Sequence, residues 1–239
     1  MTVQIPEKFQ QFRALVLDKS DPTNEEKLVG YLKEYSAGGS YTGAYFNELT
    51  TTTSSDPNRI DIADVASLSL LSVTLKPEAV GHLIGNVEVS EKLKRHLSAQ
   101  PDRDLATLTP GEAEALEAGN LNDVWNLIQQ ANGVGRTRTS KLLARKRPRL
   151  IPIWDSVIAE VLDLPTSKDM WKIFHAALTQ EGEQTLDDRL GELALKAGVA
   201  ERYSRLRVLD ILAWMYGKNK GLASKVYMEL APDPEEKDR

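Results

Sequence analysis

The stretch "GVGRTRTSKLLARKRPRLIPIWDSV", residues 133–157, decides how this 239-residue chain is read. Before it, "NLNDVWNLIQQ" repeats its apolar residues at helical spacing, and after the second glycine a further helix starts near Arg136, so Gly133, Val134 and Gly135 form a tight turn between two helices. Glycines there adopt backbone conformations denied to other residues and leave the N–H groups of the following helix start exposed. An anion is the preferred visitor at such a point, because the helix dipole and the unsatisfied donors act together. Thr137, Thr139 and Ser140 add hydroxyl groups; Arg136, Arg138, Lys141, Arg145, Lys146 and Arg147 add positive charge. Together these residues describe a clamp for phosphates that is blind to base sequence. The competing reading is a tight helix–helix turn with a solvated basic face. Asp155, directly before "SVIAEVL", also admits two readings: a helix N-cap, or a carboxylate with chemistry to perform.

Working outward, charge is segregated rather than mixed. The net charge is −5, which by itself argues against nucleic acid as a partner, yet residues 136–149 contain seven basic residues and no acid, while "EQTLDDRLGE" and the terminal "DPEEKDR" are acid-rich. The absence of cysteine excludes disulfides, thiolate chemistry and cysteine-ligated zinc or iron–sulfur clusters. His82, His96 and His175 are scattered, with no pair at helical metal-ligand spacing, so no metal and no cofactor is expected. No run approaches the roughly 18–20 apolar residues of a membrane span, and the first residues lack a basic start followed by an unbroken apolar stretch. The expectation is a cytoplasmic protein with no membrane association.

Hydrophobic residues make up 41% of the chain and fall mostly at three- and four-residue spacings, with few alternating β-branched runs, which predicts an all-α domain. Residues 1–60 read as N-terminal helices and a loop packed on a core, 61–230 as the helical core, and 231–239 as an acidic tail. Phe9, Phe12 and Val16 share one helix face; Asp21 and Pro22 open a second helix. A glycine-rich break and the polar loop "TTTTSSDPNR" flank a short element carrying Tyr41, Tyr45, Phe46, Asn47 and Glu48. "DIADVASLSLLSV" is the most apolar helix of the first half, capped by Asp61 or Asp64. Helices follow at 76–85, 88–97, 110–118 and 120–131. Three more lie beyond the quoted stretch, the last capped by Ser204, leaving at Gly217 and pairing Arg207 with Asp210 one turn later. Trp125, Trp171 and Trp214 fall on apolar faces and read as core.

On the residues "GVGRTRTSKLLARKRPRLIPIWDSVIAEVL", the chain resembles the helix-hairpin-helix DNA glycosylase superfamily, whose pattern is a GVG hairpin, a helix, an apolar segment and an aspartate opening the next helix. The similarity covers roughly residues 128–164. It implies a glycosylase-like helical core with the helix-hairpin-helix at about 120–147. It also implies DNA held by its phosphate backbone on Gly133–Arg147, and a nucleotide flipped into a pocket beside Asp155. In that family the carboxylate stabilises the oxocarbenium-like state as the N-glycosidic bond breaks and can orient the attacking water. Bifunctional members carry a lysine where this chain has Thr137, so the resemblance implies a monofunctional base-excision enzyme of DNA repair, without the Schiff base that lyase activity requires. Tyr45, Phe46, Asn47, Glu48 and Trp154 are the candidates for the base pocket. The alternative is a DNA-binding module without a pocket. The whole chain also resembles an uncharacterised bacterial family sharing the "LLARKRPRLIP" type of segment, which implies no activity.

Overall fold

The structure, a computed structural model, describes residues 3–49, 56–100 and 102–222, and every regular element among the described residues is helical. α1 (Glu7–Leu17) and α2 (Pro22–Ser36) open the chain, with Phe9, Phe12 and Val16 facing inward from α1. Asp21 caps α2, its Oδ1 accepting from Thr23 N at 2.9 Å, and Pro22 sits in the first turn, where its missing N–H is no loss. A 3-10 turn, Thr42–Tyr45, carries the aromatic segment. α3 (Ile62–Ser69) starts on a reciprocal cap: Asp64 N donates to Asp61 at 3.0 Å and Asp61 N to Asp64 at 2.9 Å. Both candidate caps are therefore used. α3 ends at Ser69 rather than following its apolar run to Val73, because Ser72 turns the chain through a positive φ of 59°.

α4 (Pro77–Val80) runs into a π turn, Gly81–Gly85; α5 (Val87–Ser98) follows, then α6 (Pro110–Ala115) and α7 (Asn120–Gln129). The second half comprises α8 (Arg136–Lys146), α9 (Ser156–Leu162), α10 (Met170–Thr179), α11 (Leu186–Ala197) and α12 (Arg205–Asn219). Ser204 caps α12 as its sequence predicts, accepting from Arg207 N at 3.2 Å. Gly217 differs from expectation: it lies inside α12, which continues to Asn219. A Cβ there would sit 2.7 Å from Val157 Cγ1 and 2.9 Å from Val161 Cγ2, so glycine sets the close approach of α12 to α9.

One hydrophobic cluster extends from Phe9 on α1 to Met215 on α12, crossing residue 60 without a break. α2 packs on α11 and α12, and α1 on α9 and α11, so the first helices close against the last. α5 packs on α7, α6 on α10, and α8 contacts both α3 and α7. Trp125 and Trp171 meet edge to face at 5.7 Å, both buried as core residues. No helix of the described residues is long and apolar enough to cross a membrane. The acidic tail at 231–239 and the first part of the polar loop, 50–55, lie outside the described residues.

Candidate nucleic-acid interface

Of the two glycines in the turn between α7 and α8, only the first takes a conformation denied to other residues. Val134 N donates to Ala131 O at 3.1 Å, and Gly133 takes a φ of +73°, a region that favours glycine. Gly135 is the N-cap of α8 with extended backbone, and having no side chain it offers no acceptor to the N–H groups of the first turn. Arg136, Thr137 and Arg138 are half-buried around this start, while Val134 is buried beneath it. Arg138 Nε donates to Thr74 O at 2.8 Å, which fixes its side chain against the segment after α3.

Farther along α8 the basic residues face the other way. Lys141 is buried, its Nζ 3.2 Å from Leu71 O and 3.3 Å from Asp155 Oδ2. Arg145 Nε lies 3.0 Å from Asp64 Oδ1, and its other nitrogens donate to the carbonyls of Phe46 and Leu49. Lys146 Nζ takes the second oxygen of Asp64 at 2.5 Å. Arg147 is buried and donates to the carbonyls of Pro57, Leu97 and Gln100 and to Asn58 Oδ1; this burial lowers its pKa below the usual arginine value. Thr139 Oγ1 donates to Gly135 O, and Ser140 Oγ to Trp154 O at 2.9 Å while accepting from Trp154 N at 3.1 Å. Lys141, Arg145, Lys146, Arg147, Thr139 and Ser140 are thus turned inward, and the residues of the run that stand at the turn itself are Arg136, Thr137 and Arg138, of which Arg138 is also held, by Thr74 O. The reason is that α8 is enclosed on most sides although only Leu142, Leu143 and Ala144 make its middle apolar, so its long cations must find partners inside.

Asp155 does cap α9: Oδ1 accepts from Val157 N and Ile158 N, both at 3.1 Å, leaving Oδ2 for Lys141. Its side chain is 14% exposed, so it lies near the surface with both oxygens occupied. The two readings of this residue are compatible with one geometry, since a capping carboxylate is also a fixed negative charge.

The candidates for a base pocket do not converge on one space. Tyr45 and Glu48 attach to Arg202, the guanidinium lying 5.9 Å from the Tyr45 ring centroid and pairing with the Glu48 carboxylate. Trp154 donates from Nε1 to Leu164 O at 3.0 Å. Phe46 and Asn47 line a cavity with Ile151, Ile153, Arg207 and Asp210, but its volume is about 10 Å³, far below that of a nucleobase. A wider groove of about 340 Å³ runs between α5 and α7, lined by Lys92, His96, Asp123, Asn126 and Gln130. His96 Nδ1 is 3.0 Å from Asn120 Oδ1 there, and His175 Nε2 is 2.8 Å from Leu108 O in the core. Among the described residues no group of histidines and acids could hold a metal ion.

Two charged centres go beyond what the sequence marks. Asp64 reads as a helix cap, and it is one, but it is also the buried anion that receives Arg145 and Lys146. Arg207 and Asp210 pair as their spacing predicts, yet they do so inside the core. Arg207 lies 5.4 Å from the Tyr35 ring and 5.5 Å from the Phe46 ring, and donates to Tyr35 OH at 2.7 Å and Gly43 O at 3.1 Å. Burial pushes the Asp210 carboxyl up to about 6, against the opposing pull of Arg207, and the Tyr35 hydroxyl up to about 12. The composition of α8, polar but followed at once by the apolar Leu150, Ile151 and Ile153, is the one sequence signal that could have placed its cations inside.

No curated protein and no solved structure matches the chain. A family of unknown function, DUF6308, matches residues 27–217, from within α2 to Gly217 of α12 and so across the turn, α8 and Asp155. The chain belongs to that family.

Proposed function

We propose that this chain binds the phosphate backbone of DNA through the turn at Gly133–Arg138, with α7 and α8 acting as a helix-hairpin-helix. The observation that carries this reading is the start of α8. Gly133 holds a positive φ, Gly135 leaves the first-turn N–H groups without a side-chain cap, and Arg136 and Arg138 flank them, so donors and positive charge converge where a phosphate would approach. The inward Lys141, Arg145, Lys146 and Arg147 have no part in this contact. They hold α8, and hence the turn, in place.

A second reading, excision of a flipped base by a glycosylase-like core, is favoured by one observation. Ser140 accepts from and donates to the backbone of Trp154, which fixes Asp155 beside α8 at the end of the segment behind the turn. In that reading Asp155 supplies the negative charge opposite the sugar, and Lys141, 3.3 Å from its Oδ2, holds the carboxylate in position.

The test is binding of a fluorescent duplex carrying an abasic-site analogue, at several salt concentrations, by wild type and by Arg136→Ala/Arg138→Ala. Wild-type affinity is expected to fall steeply with salt, and the log–log slope to shrink by about one for each arginine removed. Absence of salt-sensitive binding by the wild type removes the proposal. If binding is present, release of modified bases that is lost in Asp155→Asn with binding retained selects the second reading over the first.

A further inference from the structure

Four structural elements meet at the small cavity beside α12: the segment after the 3-10 turn, through Phe46 and Asn47; α8, through Ala144; the apolar stretch after it, through Ile151 and Ile153; and α12 itself, through Arg207 and Asp210. Most of the wall is apolar. Two of the lining residues carry a buried polar atom without a hydrogen-bond partner, Asn47 Oδ1 and Arg207 Nε, although the other side-chain nitrogens of Arg207 are engaged, with Asp210, Tyr35 and Gly43. One of the two is an acceptor and the other a donor. The Asp210 carboxylate, an acceptor with more than one lone pair, lines the same space.

From this geometry we infer a binding site for one structural water molecule, which accepts from the Arg207 Nε–H and donates to Asn47 Oδ1 and to the Asp210 carboxylate. The volume of about 10 Å³ is about what a single water needs. The polarity fits as well: buried waters typically make about three hydrogen bonds, and an acceptor, a donor and a carboxylate supply two acceptors and one donor for a molecule with two hydrogens and free lone pairs. Buried polar groups left unpaired are rare in folded proteins, and here two belong to residues lining one cavity. An ammonium ion would lack the lone pair that Arg207 needs, and a chloride would face Asn47 Oδ1 and Asp210 with the wrong sign. The water joins the Tyr41–Leu49 segment to α12 where no direct side-chain bond does so through Asn47.

A crystal structure of the full chain at about 1.5 Å is the primary test. One density peak is expected at hydrogen-bonding distance, roughly 2.7–3.2 Å, from Asn47 Oδ1, Arg207 Nε and an Asp210 oxygen. A featureless cavity overturns the proposal, and so does a peak whose short, multiple contacts to oxygens mark a metal cation. In solution, oxygen-17 relaxation dispersion counts water molecules with long residence times. Asn47→Leu is expected to hold one fewer than wild type, and an unchanged count in the folded variant is the second refuting result. If Asn47→Leu does not fold, the wild-type density decides alone.

Discussion

The two ends of α8 carry the same kind of residue and do opposite things. At its start Arg136 and Arg138 stand half-buried around an uncapped helix terminus, whereas from Lys141 to Arg147 the cations turn inward onto Asp155, Asp64 and a set of backbone carbonyls. A run of positive charge in a sequence is therefore no measure of surface charge. What separates the ends is enclosure: the last two turns are covered by α3, the Phe46–Leu49 segment and the loop at Pro57–Asn58, and each cation there is matched to an acceptor.

The largest expected effect comes from breaking the inward end. Asp64→Ala leaves Arg145 and Lys146 buried without their anion and is expected to lower unfolding stability by about 3–5 kcal/mol in urea titration. Asp61→Ala removes the other half of the same cap at about 1 kcal/mol. Equal losses for the two would show that the cations reach solvent, and the contrast between the ends of α8 would collapse. Asp155→Asn comes next. Asparagine keeps the cap of α9 but removes the charge facing Lys141, for an expected loss of about 1–2 kcal/mol, partly recovered when Lys141→Met is combined with it.

The pH dependence of the neighbouring core pair is smaller. Asp210 is raised to about 6 in the folded protein, so the native state binds its proton more tightly than the unfolded chain does. Its contribution to stability is fully present below the ordinary carboxylate value and is lost as pH rises towards and through about 6. From pH 7.5 to pH 5 the wild type should therefore gain about 1 kcal/mol relative to Asp210→Asn, measured by denaturation at each pH. The groups facing this carboxyl are Arg207, Tyr35, Lys141 and Asp155, and a flat difference across that range would mean that they hold it ionised throughout. At the start of α8, Arg136→Ala/Arg138→Ala removes the bond from Arg138 to Thr74 O and is expected to cost about 1 kcal/mol while changing the salt dependence of DNA binding. A loss of several kcal/mol there would make the start of α8 structural as well.

What the residues disclose in advance is local. Asp21, Asp61, Asp155 and Ser204 announce helix starts because a cap acts on N–H groups two or three residues away, and the Arg207–Asp210 pair lies one turn apart on one helix. The glycine turn at 133–135 is legible for the same reason. Arg145 and its carboxylate, by contrast, are 81 residues apart, and Arg147 reaches carbonyls on two distant segments. No periodicity within α8 indicates which of its cations will meet such partners. Gly217 misleads in a similar way, since a glycine that ends a helix and one that admits a neighbouring helix look alike in sequence.

The closure of the first helices onto the last has a consequence in time. Lys8 reaches Glu160, Arg13 donates to the carbonyls of Ala177 and Gln180, and the fully buried Arg189 donates to Val16 O while pairing with Glu25. α1 and α2 therefore find no permanent home until α11 has been made. At about 5–20 residues per second, α1 waits on the order of 10–40 s on the ribosome with Phe9 and Phe12 unburied. Its exposure is a matter of synthesis order, since the helices that bury it are made last.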